Sequence, residues 1–243
     1  LKREESPMSE LSEPEEPDSP CGWPLMAPAT PAIETRRLIL RPPVDADAEA
    51  IARLADTAAV ARSLIGMPHP YRVGHARAWL AEPVDPRGQR HLICRKGFDA
   101  APTPVGIITL DMRGRAGPGW IGCWLGERHW GQGFATEACH AAIDYAFLHQ
   151  RHDKLLFACR VTNPAGRRVI EKCGFQMVAQ ELASVAGSGA AVAIDRFRID
   201  RRTWESIRAW EPLRVHHREA EWAERGDSHG EPLRDYQAPA ERI

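Results

Sequence analysis

The stretch HWGQGFATEA, residues 129–138, sets Gly131 and Gly133 two apart directly ahead of a run with helical character. Just upstream, WIGCWLG (120–126) is apolar and closed by glycine, the pattern of a strand. Strand, tight loop and helix in that order aim backbone N–H groups and the positive helix end at one point. Such a point binds anions, phosphate above all. Glycine at both loop positions removes the Cβ that would hold a pyrophosphate off the amides, and it permits positive φ where the chain turns. The two glycines suit a purely geometric strand-to-helix turn equally well.

Working outward, RRLILRPP (36–43) alternates apolar and basic residues and stops at a proline pair, so it reads as a strand. DADAEAIARLADTAAVARSL (45–64) carries Ile51, Leu54, Ala55, Ala58 and Ala61 at helical spacing behind a capping aspartate. HARAWLAE (75–82) is a second helical segment. RHLICRK (90–96), PVGIITLDM (104–112) and WIGCWLG read as three strands parted by Gly and Pro loops. A helix from the quoted loop to about Gln150, a strand KLLFACRV (154–161), a helix PAGRRVIEKC (164–173) and two closing strands complete the order. No internal repeat is visible.

The 243 residues are 43% hydrophobic, enough for a real core. Thirty-two basic against 33 acidic residues leave no electrostatic footprint for nucleic acid or an anionic membrane. No apolar run approaches the ~18 residues of a membrane span, and the acidic N-terminus is unlike a signal peptide. The expected compartment is the cytoplasm, and the six cysteines, widely spaced without a CxxC pair, read as reduced thiols. No metal site is expected; His216 and His217 have no second ligand cluster beside them. Residues 1–32, with seven acids and repeated prolines, read as a disordered tail, in which Met8 is a candidate natural start. Residues 211–243 read as a polar C-terminal tail, which leaves the fold in 33–210.

Three phosphate-binding loops compete for the glycines. The Walker loop is excluded because no Gly-Lys-Ser/Thr follows. A dinucleotide fold needs a third glycine where Thr136 stands and an acid after the next strand, where ACRVTN (158–163) has none. The remaining pattern, Gln/Arg-x-x-Gly-x-Gly/Ala, is met by Arg128, Gly131 and Gly133. With TRRLILRPP (35–43), MPHPY (67–71), WGQGFATEA (130–138) and NPAGRRVIEKCGF (163–175) in matching order and spacing, the region from about 35 to 200 resembles the GNAT superfamily of acetyl-coenzyme A dependent N-acetyltransferases. Within it the chain looks most like the ribosomal-protein N-terminal acetyltransferases.

That resemblance implies a single α/β (α+β) domain: a central mixed, mostly antiparallel sheet of six to seven strands with about four flanking helices. It implies acetyl-CoA as co-substrate, an amine acceptor as partner, and leaves a homodimer open; nucleic acid and membrane are not expected. Arg128, His129, Trp130, Gly131, Gln132, Gly133, Phe134 and Ala135 would hold the coenzyme A pyrophosphate, mainly through backbone amides. Asn163 would face the pantetheine arm, although Asn163, Pro164 and Gly174 also read as the cap, first-turn proline and stop of a helix. Arg168, with Arg167, would reach the ribose phosphate or else form a solvated face. Glu137 reads as a partner of the helix dipole.

For the chemistry, the resemblance implies direct attack of the amine on the thioester. The oxyanion donor would be a backbone N–H within Cys123–Leu125, on a bulged strand that splays from its parallel neighbour; Trp124 and Leu125 are the named candidates. Cys123 reads as packing. Many relatives carry a tyrosine where this chain has Ile170, and the ribosomal branch a serine where it has Gly166. Of its three tyrosines, only Tyr71 and Tyr145 fall in the folded part. Glu127 and His129 are titratable near the strand end, and Glu127 is the third catalytic candidate. A site without a strong base favours α-amines: at pH 7 a lysine amine must lose its proton at a cost of about 4–5 kcal/mol, an α-amine at about 1. A water chain to a distant carboxylate would remove that preference. Tyr71 and Trp79 are possible walls of the acceptor pocket. Binding of an acyl-coenzyme A without turnover, and a nucleotide-binding module, are the alternatives from other classes.

Overall fold

The computed structural model describes residues 30–85, 87–97, 101–112, 117–185, 190–208 and 214–216. The expected tails therefore lie outside the described residues, apart from 30–32 and 214–216.

The strands are β1 (Ala32–Glu34), β2 (Leu38–Arg41), β3 (Gln89–Arg95), β4 (Thr103–Met112), β5 (Gly119–Leu125), β6 (Lys154–Arg160), β7 (Gln176–Ser184), β8 (Ala191–Asp200) and β9 (Arg214–His216). They form one sheet in the order β7-β8-β6-β5-β4-β3-β2-β1-β9. Every neighbour pair is antiparallel except β5 with β6. The helices are α1 (Ala48–Ala55), α2 (Ala58–Ser63), α3 (Val73–Ala81), α4 (Phe134–Leu148), α5 (Pro164–Lys172) and α6 (Arg201–Ile207). The class is the expected one. The sheet gains β1 and β9 at one edge, so its last strand comes from the stretch read as a tail.

Two of the extra helices have local causes. The helix expected over 45–64 breaks at Asp56 and Thr57, whose side chains serve other backbone groups. Asp56 Oδ1 accepts from Tyr71 N–H at 2.8 Å, and Thr57 Oγ1 accepts from Val60 N–H at 3.2 Å, capping α2. Helix α6 begins the same way: Asp200 Oδ1 accepts from Thr203 N–H at 2.9 Å.

Two apolar layers cover the sheet. On one face, Ala48, Ile51, Ala55 and Ala76 of α1 and α3 pack with Leu92 and Ile107. On the other, α4 packs with Ile108, Leu110, Ile121, Phe157 and Phe197, and ten of its fifteen residues are buried. Burial at ~25 cal/mol per Å2 on nearly every side fixes that helix, and therefore its N-terminus, in the fold.

The expected bulge over Cys123–Leu125 is absent. The β4–β5 register runs unbroken from Met112 opposite Gly119 to Gly106 opposite Leu125. The irregularity sits one strand over: Ile93 faces Gly106 while Cys94 faces Pro104, leaving Val105 extra on β4. Pro104 has no N–H to continue the ladder, which places the break there.

Candidate active site

The pairing of β5 with β6 ends at Ile121 opposite Phe157, although β5 continues to Leu125 and β6 to Arg160. Beyond that point the strands part and leave a slot. Gly126 N–H donates to Val105 O at 3.0 Å, toward β4. Alternation along a strand then sends Trp124 N–H to β4 as well, and turns the N–H groups of Cys123 and Leu125 toward the slot. Of the two expected donors, the N–H of Leu125 is turned toward the slot and that of Trp124 toward β4.

The glycine loop follows at once. Gly131 has φ 74° and Gly133 φ 79°, the left-handed conformation that glycine adopts at little cost. A Cβ on Gly131 would meet no protein atom within 4 Å, so the space in front of the loop is free. Gly133 is the N-cap of α4. A group of phosphate size and charge fits a cradle of this kind, with the helix end behind it.

The loop is tied down from behind. Glu137 accepts from Thr35 Oγ1 at 2.7 Å, from Arg37 N–H at 2.8 Å and from Arg37 Nε at 2.6 Å. Arg37 Nη1 donates to Gln132 O at 3.0 Å, and its guanidinium lies 4.8 Å from the Phe134 ring centre. Burial works against the Glu137 carboxylate, but the bonds from Thr35 and Arg37 outweigh it and hold its pKa below the ordinary value. Glu137 is thus a structural brace. Trp130 Nε1 donates to Leu125 O at 2.8 Å and Gln132 Nε2 to Arg128 O at 3.1 Å, joining strand end and loop.

Slot and loop open into one cavity of about 1500 Å3. Single-ligand pockets are commonly ~300–1,000 Å3, so this one has room for two ligands. Trp124, Leu125, His129, Trp130, Gly131, Gly133, Phe134, Ala135, Asn163 and Arg168 line it; Arg128, Gln132 and Glu127 do not. Glu127 lies exposed on the short 3-10 turn Glu127–His129. His129 is half-buried on the same turn, and burial first, then the charges of Arg95 and Arg128, keep its imidazole below the ordinary pKa. It is therefore neutral at pH 7.

Asn163 is engaged on both ends. Its Oδ1 accepts from Gly166 N–H at 2.8 Å, capping α5, and its Nδ2 donates to Ser63 O at 3.1 Å, at the end of α2. Arg167 pairs with Glu171 at 2.8 Å and Asp195 at 3.5 Å, while Arg168 is exposed at the cavity. Ile170 is buried, and Tyr145 is buried and stacked on His149. Among the described residues no helix is long and apolar enough to cross a membrane, and no group of three or more His, Cys, Asp or Glu is arranged to hold a metal ion.

A family model described as "Acetyltransferase (GNAT) domain" matches residues 37–176, more than half of the chain. The chain belongs to the GNAT acetyltransferase family. It is accordingly an acyltransferase of the acetyl-CoA dependent kind. The uncharacterized N-acetyltransferase YoaA of Bacillus subtilis is 29% identical over 150 residues, 60% of this chain and 83% of that protein. The uncharacterized protein YkkB of the same organism is 41% identical over 54 residues, which are 22% of this chain and only 31% of YkkB. Mycobacterium smegmatis RimJ, solved in complex with CoA-disulfide, superposes with TM-score 0.59 at 23% identity, over 71% of this chain and 86% of that one.

In this acetyltransferase the cavity has a second half that the sequence reading left mostly unassigned. The register places Ile107 opposite Trp124, Thr109 opposite Gly122 and Asp111 opposite Trp120. All six share one face of β4 and β5 and line the cavity. Facing them are Tyr71, His75, Trp79 and Glu82, from α3 and its flanks. Burial, with the Glu82 charge adding, raises the Tyr71 phenol above its ordinary pKa and keeps it protonated. Period-two alternation in TLDM and WIGCW was the available signal; which face it served depended on where α3 packed.

Proposed function

We propose that the protein moves an acetyl group from acetyl-CoA to a primary α-amine, at a protein N-terminus or on a small molecule, by direct attack on the thioester. The carrying observation is that the glycine-turned loop and the slot between β5 and β6 share one cavity. Backbone amides of Gly131 and of Gly133 to Ala135, at the α4 N-terminus, hold the pyrophosphate, the pantetheine arm lies in the slot past Asn163, and Arg168 meets a further phosphate. Leu125 N–H steadies the oxyanion. The acceptor enters between the β4–β5 face and α3, walled by Trp124, Trp120 and Tyr71.

The acceptor preference rests on weak base strength. Gly166 and Ile170 bring no hydroxyl to the cavity wall, and on the turn that follows Leu125 the one titratable side chain that lines the cavity is His129, which is neutral. Such a group relieves an α-ammonium but not a lysine ammonium. The order of motifs supports a place beside the ribosomal-protein N-terminal acetyltransferases. A panel of peptides offering either a free N-terminus or only a lysine side chain, assayed at pH 7, tests this: kcat/KM should favour the α-amine by about a hundredfold. Equal rates would refute the preference. The missing hydroxyls also favour a second reading, binding of acyl-CoA without turnover; in that case acetyl-CoA binds and no amine in the panel is acetylated.

A further inference from the structure

In WIGCW, residues 120–124 of β5, two tryptophans flank a glycine at every second position. Alternation sends Trp120, Gly122 and Trp124 to one face, the face on which Trp124 packs with Ile107 and Tyr71. At ~3.4 Å per residue the two indoles spring from points roughly 7 Å apart. Both are half-buried and line the cavity, as does Gly122 between them. Their partners across on β4 are Asp111, Thr109 and Ile107, in that order. A Cβ on Gly122 would stand 2.9 Å from Thr109 Oγ1, so glycine keeps the floor between the indoles low. The result is a trough with an aromatic wall at each end, about as wide as one flat or slender group touching both.

A carboxylate overlooks this trough. Asp111 is the cross-strand neighbour of Trp120, exposed at the cavity wall, and Thr109 Oγ1 donates to its Oδ2 at 3.0 Å. Among the described residues Asp111 makes no ion pair. Arg90, opposite Thr109 on β3, is engaged elsewhere: it donates to Trp79 O, and its guanidinium lies 4.1 Å from the Trp79 ring centre and 3.7 Å from Glu82 Oε2. An indole and a carboxylate thus already share one guanidinium on this wall. Trp120 beside Asp111 repeats that pair at the cavity surface. The remaining charges are sorted by side. Arg62, Arg168 and Lys172 line the cavity from α2 and α5, where the proposed reading puts the phosphates; Glu82 and Asp111 line it from the α3 side, and Glu181 of β7 is paired with Arg196 at 3.2 Å.

We propose that the trough between Trp120 and Trp124, with Asp111, is a subsite for a second cationic group on the acceptor, a guanidinium or ammonium other than the amine that is acetylated; this rests on the reading of this half as the acceptor site. The indole faces attract the cation through their quadrupoles, and Asp111 supplies the opposite charge. Its distance from the chemistry follows from the strand. Gly122 lies three residues before Leu125, so the trough is roughly 10 Å from the N–H turned into the slot. In a peptide with its α-amine at the thioester, one Cα step of ~3.8 Å and a long basic side chain span that distance. The cation therefore belongs to the second residue. The third residue of an extended peptide points to the other side, and later ones overshoot.

The test uses pentapeptide amides with a free N-terminus and a single arginine, or its neutral isostere citrulline, at position two, three, four or five. Each is titrated calorimetrically into the full chain with coenzyme A present. At position two the arginine peptide should bind about tenfold tighter than its citrulline twin, and the ratio should fall toward one by position five. Asp111→Asn should cut the position-two ratio about threefold or more, and so should Trp120→Leu, which keeps apolar bulk without the π face. Twins of equal affinity, no binding by any peptide, the same ratio at every position, or an undiminished ratio in both folded variants would each overturn the subsite. Acetylation rates on the same peptides separate this proposal from the reading beneath it. Arginine preference in binding with no acetylated product keeps the subsite and refutes transfer to an α-amine. Acetylation of twins that bind equally keeps the transfer and refutes the subsite.

Discussion

The two halves of the cavity are made of different material. The half at the α4 N-terminus is backbone: glycines at positive φ, open space in front of Gly131, and a helix with ten of its fifteen residues buried. The half between α3 and the β4–β5 face is side chains: Trp120, Trp124, Asp111, Tyr71, His75 and Glu82, contributed by separate elements. On the proposed reading, backbone geometry serves the coenzyme, a ligand that does not vary, and side chains set the choice of acceptor. Substitutions in the first half should therefore act on coenzyme affinity or on the chemical step, and those in the second on acceptor KM alone.

The largest effect is expected where the slot meets the loop. Leu125→Pro removes the N–H aimed into the slot without cutting a bond to β4, and should lower kcat by ~10²–10³ with acetyl-CoA affinity kept. Retained kcat in a folded variant would move the donor to Cys123 and redraw the boundary between the halves.

Next comes the brace. Arg37→Ala strips Glu137 and Gln132 O of their partner and should weaken acetyl-CoA binding about tenfold and cost about 1–2 kcal/mol of stability by denaturant titration, a modest figure because Arg37 is 37% exposed. The same brace gives a pH signature. Because the folded-state pKa of Glu137 is depressed, its contribution is fully present above the ordinary value of 4.5 and is lost as pH falls below it, through the lowered folded value. Wild-type stability measured against Glu137→Gln should converge on acidification below 4.5; a constant gap would show that the carboxylate charge is not what holds the loop.

The loop half was legible in the sequence because a strand, two glycines and a helix carry their geometry locally. Asn163 and Pro164 were legible as a cap for the same reason, but the second bond of Asn163, to Ser63 O, joins residues a hundred positions apart and left no local trace. The brace was hidden likewise: Glu137 read as a dipole partner, and only pairing of β1 with β2 brings Thr35 and Arg37 to it. The break at Asp56 and Thr57 did have a signal, two residues that compete for backbone bonds, overridden by the helical spacing around them. The acceptor half needed the packing of α3 before any side chain on β4 or β5 could be assigned to it.

Smaller effects sharpen the contrast. Asn163→Ala should cost about 1 kcal/mol through the lost α5 cap, with a few-fold rise in acetyl-CoA KM if the slot widens as α2 separates from α5. Trp124→Ala should raise acceptor KM about three- to tenfold and leave acetyl-CoA affinity unchanged; a change in both would show that the halves are not separable.

The most direct measurement is calorimetric titration of acetyl-CoA into the wild type and Gly131→Asp. Aspartate tolerates the left-handed backbone better than most residues and its Cβ meets no protein atom within 4 Å there, so the variant should remain folded while placing a carboxylate where the pyrophosphate belongs. The account predicts micromolar binding by the wild type and its loss in a variant that stays folded, its melting temperature lowered only by the modest strain of a non-glycine residue at positive φ. Equal binding by both, or none by folded wild type, would contradict it and reduce the loop to a turn.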